Sequence, residues 1–272
     1  MIKLYLTMFL ATLYMNSKAQ KIEISTNIGK ISIYQRFGSS GKTPLILLHG
    51  VYLDHHLWDN VLEGIKDRTV ITLDMPLHGA SRTVTKADWN LEDCGEMLLE
   101  ILDSLHIPKV IAIGHSWGSM SILRAANKAP ERFERVLLSN MPFLAATKKQ
   151  KLTFGLQHSM LIFRNFYTKQ AAKALFAKGS LKENPNLLER LKQSMDILSD
   201  KDIREIDRKV IIEAEDATAL IQNLKVKAIA LKGEEDYVPA PANMETIIVA
   251  GGHISPLECP ESVLETIKGF LN

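Results

Sequence analysis

The chain has 272 residues, 46% of them hydrophobic and 24% charged, and no low-complexity tract or fixed-period repeat. That composition excludes a disordered, fibrous or solenoid protein and supports a core that folds without metals or disulfides. Charge points to neither a nucleic-acid partner nor an anionic membrane surface: residues 1–19 hold two of the 33 basic and none of the 31 acidic residues, so the chain from Gln20 onward is balanced. The two cysteines, Cys94 and Cys259, form no Cys-x-x-Cys or Cys/His cluster, which argues against zinc. They fall in or beside separate predicted helices and are expected as two buried free thiols, a disulfide in an oxidising compartment being the alternative.

In chain order, the first predicted element is a leader. Lys3 precedes an apolar run from Leu4 to Met15, and Ser17-Lys18-Ala19 places small residues at the −3 and −1 positions of a cleavage site. This is the plan of a secretory signal peptide over residues 1–19, with a mature start at Gln20 and no membrane anchor remaining after cleavage. The apolar run is short for a membrane span. An uncleaved anchor or a buried helix is the alternative. A secreted or periplasmic protein is therefore expected.

Residues 21–37 then read as a hairpin around Asn27-Ile28-Gly29, with Ile22, Ile24, Ile31 and Ile33 alternating. Short unbroken apolar runs follow at 45–48, 70–73, 110–113, 136–138, 228–231 and 247–250, as expected of strands buried on both faces of a parallel sheet. Helices are predicted between them, most clearly over 91–105, 117–127 and 262–271. The alternation predicts an α/β fold with a mostly parallel, doubly wound sheet. Residues 143–222 break this rhythm with helices expected over 149–167, 170–177, 186–198 and 210–223. They read as a helical cap inserted between two halves of the core, 20–142 and 223–272. The basic early part of the insertion reads as a solvated face.

Three fragments carry chemistry. Gly114-His115-Ser116-Trp117-Gly118 lies between a predicted strand and a predicted helix, where a sharp turn lifts the Ser116 hydroxyl above the sheet. The same turn aims the Trp117 amide at the oxyanion formed when Ser116 attacks a carbonyl. His49-Gly50-Val51 ends the 45–48 run and offers the Val51 amide as a second donor. Among eight histidines, only His253 follows a late strand on a glycine-rich turn, Gly251-Gly252. His115 is expected to point away from the nucleophile, and His55 and His56 to lie at the surface, an approach to the pocket being the alternative.

With Asp74-Met75-Pro76-Leu77-His78-Gly79-Ala80-Ser81 and Gly233-Glu234-Glu235-Asp236, these fragments occur in one order, each at the end of an apolar run. In that order the chain resembles the α/β-hydrolase family, specifically its cap-bearing, esterase-like serine hydrolases. The resemblance covers nearly all of the chain after the leader. It implies His253 as the base and Asp236 as the acid, with Glu234 and Glu235 as alternatives; Asn140 cannot ionise. A Ser-His-Asp site needs no metal and no organic cofactor. Serine at position 116, where family dehalogenases and epoxide hydrolases place an aspartate, points to cleavage of a small ester. Amide, thioester and activated carbon–carbon substrates stay open, as does a ligand receptor with slow turnover. The expected partner is a small ester-like molecule. Phe154, Leu156, Met160 and Phe163 are candidate pocket residues, or ordinary core. One departure stands out: only eleven residues separate Gly233 from Glu245, where the family usually places a helix, so an extended crossover is expected.

Overall fold

The computed structural model describes residues 19–38 and 41–272. The expected leader lies, apart from Ala19, outside them. The hairpin forms as expected, β1 (Gln20–Ser25) against β2 (Gly29–Arg36), closed by the Thr26 amide on the Gly29 carbonyl at 2.8 Å.

The unbroken apolar runs become the sheet interior except the one at 247–250, which forms an edge strand with Ile248 55% exposed because no further strand covers it. β3 (Leu45–Leu48), β4 (Val70–Leu73) and the longer β6 (Val110–His115) are buried at every residue. β7 (Phe133–Ser139), β8 (Lys227–Gly233) and β9 (Thr246–Val249) complete the parallel run. A two-residue strand that the sequence reading missed, β5 (Thr83–Val84), pairs with β2; two residues carry no periodicity to read. The order is β1-β2-β4-β3-β6-β7-β8-β9, antiparallel at the β1–β2 and β2–β4 pairs and parallel from β4 to β9. The fold is thus the mostly parallel α/β sheet that the alternation predicts. No helix separates β8 from β9.

The helices α1 (Leu91–Ser104), α2 (Trp117–Lys128) and α8 (Pro260–Leu271) lie close to their predicted spans. α1 starts at a reciprocal cap in which the Asn90 and Asp93 side chains accept each other's backbone N–H.

Between β7 and β8 the chain builds α3 (Lys148–Ser159), α4 (Arg164–Leu175), α5 (Asn186–Asp196), α6 (Asp200–Ile206) and α7 (Thr218–Asn223). Two boundaries differ from expectation. The single helix expected over 149–167 breaks into α3 and α4 at a 3₁₀ turn, Met160–Phe163. Four consecutive apolar residues cannot share one helical face; here Leu161 is buried while Ile162 and Phe163 face solvent. Arg164 then fixes the start of α4 by donating to the Leu198 carbonyl at 2.8 Å and to Asp200 at 2.9 Å. The helix expected over 210–223 is instead a π-helical turn, Asp207–Ile212, followed by the short α7.

Cys94 and Cys259 are both free thiols, the first buried and the second partly exposed.

Candidate active site

The nucleophile candidate sits where β6 meets α2. Ser116 adopts φ 50° and ψ −113°, a strained conformation for a residue with a side chain. The turn closes only because its neighbours are small. A Cβ on Gly118 would lie 2.4 Å from the Leu48 carbonyl oxygen, and one on Gly114 would lie 2.4 Å from the Ser119 nitrogen. The Ser116 amide donates to the Ser139 carbonyl at 2.8 Å, tying the turn to β7. Trp117 is the first residue of α2, so its amide has no acceptor within the helix.

Three residues distant in sequence converge here. His253 Nε2 lies 3.0 Å from Ser116 Oγ, and His253 Nδ1 lies 3.0 Å from Asp236 Oδ1. All three are at least nine-tenths buried. Asp236 Oδ1 also accepts from the Val238 amide, and its Oδ2 accepts from the Asn140 side chain at 2.8 Å. Burial alone would raise the Asp236 carboxyl, but the His253 ring and these two donors outweigh it and hold its pKa below the ordinary value. Glu234 and Glu235 take no part: both are exposed, and Glu235 accepts from the Lys178 amide. Asn140, set aside in the sequence as unable to ionise, supports the acid instead. Its own Oδ1 is held by the hydroxyls of Ser139 and Ser255.

His115 corrects the expectation that it points away. Its Nε2–H donates to the His253 carbonyl at 2.7 Å, and its ring lies 5.4 Å from the His253 ring. On the other side the His253 amide donates to the Leu175 carbonyl, at the end of α4, at 2.7 Å. His253 is therefore clamped between the sheet and the helices above it. His55 is corrected as well: it is part-buried against Asp74 at 2.8 Å and stacks on Tyr34, and it does not line the cavity at Ser116. His56 is the surface residue expected.

The loop carrying Val51 is held by two neutral imidazoles. His49 Nδ1–H donates to the Gly50 carbonyl while its Nε2 accepts from the Met75 amide. His78 Nδ1–H donates to the Pro76 carbonyl while its Nε2 accepts from the Tyr52 amide. Each ring uses one nitrogen as donor and the other as acceptor, an arrangement that only the neutral form allows.

Above Ser116 opens a cavity of about 660 Å³, within the range of small-molecule sites. Val51, Met120, Phe154, Met160 and Val210 contribute apolar wall, and the partly to fully exposed Lys149, Gln150 and Gln157 line the outer end. Of the four pocket candidates, Phe154 and Met160 line it. Leu156 and Phe163 do not; they are 64% and 59% exposed. Along α3 the lining residues fall at Lys149, Gln150, Thr153, Phe154 and Gln157, one helical face with Leu156 just beyond its edge, turned to solvent. Phe163 is turned away by the 3₁₀ break.

A buried cluster that the sequence reading did not find joins this cavity to the helical segment. Asp207, fully buried at the start of the π-helical turn, accepts from the Tyr52 and Tyr167 hydroxyls and lies 2.8 Å from His158 Nε2. Nothing in the local sequence marks these four residues, which lie up to 155 positions apart. Asp207→Ala should lower the unfolding free energy by about 3 kcal/mol, because it leaves several buried donors without an acceptor. Urea titration measures this; a loss below about 1 kcal/mol would show that the cluster is replaceable by solvent.

These features define a family. The α/β hydrolase fold family model matches residues 43–236, and the chain belongs to that family. Among characterised proteins it is similar to the dihydrolipoyllysine-residue acetyltransferase component of the acetoin cleaving system of Pseudomonas putida, 36% identical over 42% of this chain but only 30% of that protein's length. It is also similar to 3-oxoadipate enol-lactonase 2 of Acinetobacter baylyi, 22% identical over 88% of this chain and 92% of the relative. Among solved structures, a thermophilic esterase from Thermogutta terrifontis superposes with a TM-score of 0.76 at 21% identity, covering 93% of this chain and 98% of the esterase.

Proposed function

We propose that the protein is a serine hydrolase that cleaves a carboxylic ester or lactone with an apolar acyl part. The observation that carries this reading is the continuous Ser116–His253–Asp236 chain, with both links at 3.0 Å, at the floor of a largely apolar cavity. The enol-lactonase and esterase relatives support ester or lactone chemistry. In this reading the Ser116 hydroxyl donates to His253 Nε2, which takes the proton as Oγ attacks the substrate carbonyl. Asp236 holds the ring in the tautomer with Nδ1–H and stabilises the imidazolium. The Val51 and Trp117 amides receive the oxyanion. His253 then returns the proton to the departing alkoxide, and water repeats the sequence on the acyl-enzyme. A ligand receptor would have no use for a base aligned on a strained serine.

Residues 143–222 act in this reading as a cap that sets acyl length. Met160→Trp or Phe154→Trp should shift preference among nitrophenyl esters toward short chains by roughly tenfold, leaving the acetate ester nearly unaffected. Burst and steady-state rates across an acetate-to-octanoate series measure it. No turnover of any ester or lactone would refute the hydrolase reading, and a uniform loss in the variants would refute the cap's role. We also propose export, with cleavage after Ala19. N-terminal mass spectrometry of protein from the native cell should find Gln20 or its pyroglutamate form; an intact Met1 would contradict this.

A further inference from the structure

The helical segment carries a surface that the catalytic reading leaves unused. From Asn140 to Lys182 the chain contains eight Lys and Arg residues and no Asp or Glu, although the chain from Gln20 is charge-balanced. Arg164 is engaged with Asp200. The seven lysines are all exposed. The same stretch holds six of the ten exposed large hydrophobic residues among those described: Leu144, Leu152, Leu156, Ile162, Phe163 and Phe166, at 48–75% exposure. Leu152 and Leu156 are one turn apart on α3. Ile162 and Phe163 project from the 3₁₀ turn that joins α3 to α4. Leu144 and Phe166 also line the cavity, so the apolar surface runs up to its mouth, where Lys149 sits.

We propose that this face docks on an anionic phospholipid bilayer, with the cavity mouth turned toward the lipid. Exposed apolar side chains concentrated in one segment beside a cavity mouth mark an interaction surface. Charge selects the occupant. A second copy docking through the same stretch would set seven lysines against seven with no acid from residues 140–182 between them, whereas an anionic headgroup layer complements them while its acyl region receives the Leu, Ile and Phe side chains. Among the described residues no helix is long and apolar enough to cross a membrane, so the contact is one of surface insertion. A hydrolase so placed would draw its acyl substrate from the lipid phase; that corollary alone rests on the function proposed above.

The test uses the full chain carrying Ile162→Trp. Trp58, Trp89 and Trp117 are fully buried and residues 1–19 contain no tryptophan, so the new indole reports on this face. With vesicles of equimolar phosphatidylcholine and phosphatidylglycerol, its emission should shift to the blue and be quenched by acyl-brominated lipid. Adding Lys148→Gln, Lys151→Gln and Lys173→Gln should weaken partitioning by about a hundredfold. The proposal is overturned if emission is unchanged, if phosphatidylcholine alone gives an equal shift, or if the shift occurs without vesicles and grows with protein concentration, as self-association would produce. No turnover enters the readout, so the result is separate from that of the ester assays.

Discussion

His253→Ala is expected to lower kcat by about 10⁴-fold or more, close to the loss from Ser116→Ala, because members of such a relay act as a unit. The geometry explains why no neighbour can substitute. The His115 ring lies 5.4 Å from that of His253, but its Nε2–H is committed to the His253 carbonyl and its Nδ1 is buried without a partner. Asp236→Asn should cost less than either, because Asn140 and the Val238 amide still position the side chain at 236 while the charge opposite His253 is lost. Steady-state kinetics on one activated ester checks the order. Asp236→Asn at wild-type rate alongside an inactive Glu235→Gln would move the acid to Glu235.

The second large effect is on stability in acid. Burial pushes the His78 and His115 imidazoles down to about 3 from an ordinary 6.5. The hydrogen bonds agree: protonating His78 at Nε2 would evict the Tyr52 amide. Between pH 6.5 and 3 the unfolded chain binds a proton at each ring that the folded chain does not, so stability is full above 6.5 and is lost as pH falls through that window. The slope is about 1.4 kcal/mol per pH unit for each histidine. Urea titrations at stepped pH should therefore show marked weakening well before the carboxylates titrate. His78→Gln, whose amide can both donate and accept, should remove one proton's worth of that slope. Equal stability at pH 7 and pH 4 would contradict the assignment of neutral buried imidazoles.

What was legible in the sequence follows from what each element depends on locally. The strands at 45–48, 70–73 and 110–113 are visible because burial on both faces demands unbroken apolar runs. The elbow at Ser116 is visible because its close contacts exclude a Cβ at positions 114 and 118, leaving a glycine signature. Asp236 is legible only through the family resemblance, whose spacing after Gly233 holds even though the crossover lacks a helix. The helical segment was far less legible: α3 and α4 show little segregation of apolar from polar residues, because their faces divide among core, cavity and exposed apolar surface. That is why Leu156 and Phe163 were placed in the pocket and the Tyr52–Tyr167–Asp207–His158 cluster was not found. Both depend on how distant segments meet, which no local period encodes.

The central claim is that Ser116 is a nucleophile activated by His253, and the most direct measurement is fluorophosphonate labelling followed by peptide mass spectrometry. A single adduct on the peptide containing Ser116, absent in Ser116→Ala and formed far more slowly in His253→Ala, is the predicted result. An adduct that persists in Ser116→Ala, or maps to another residue, would contradict it.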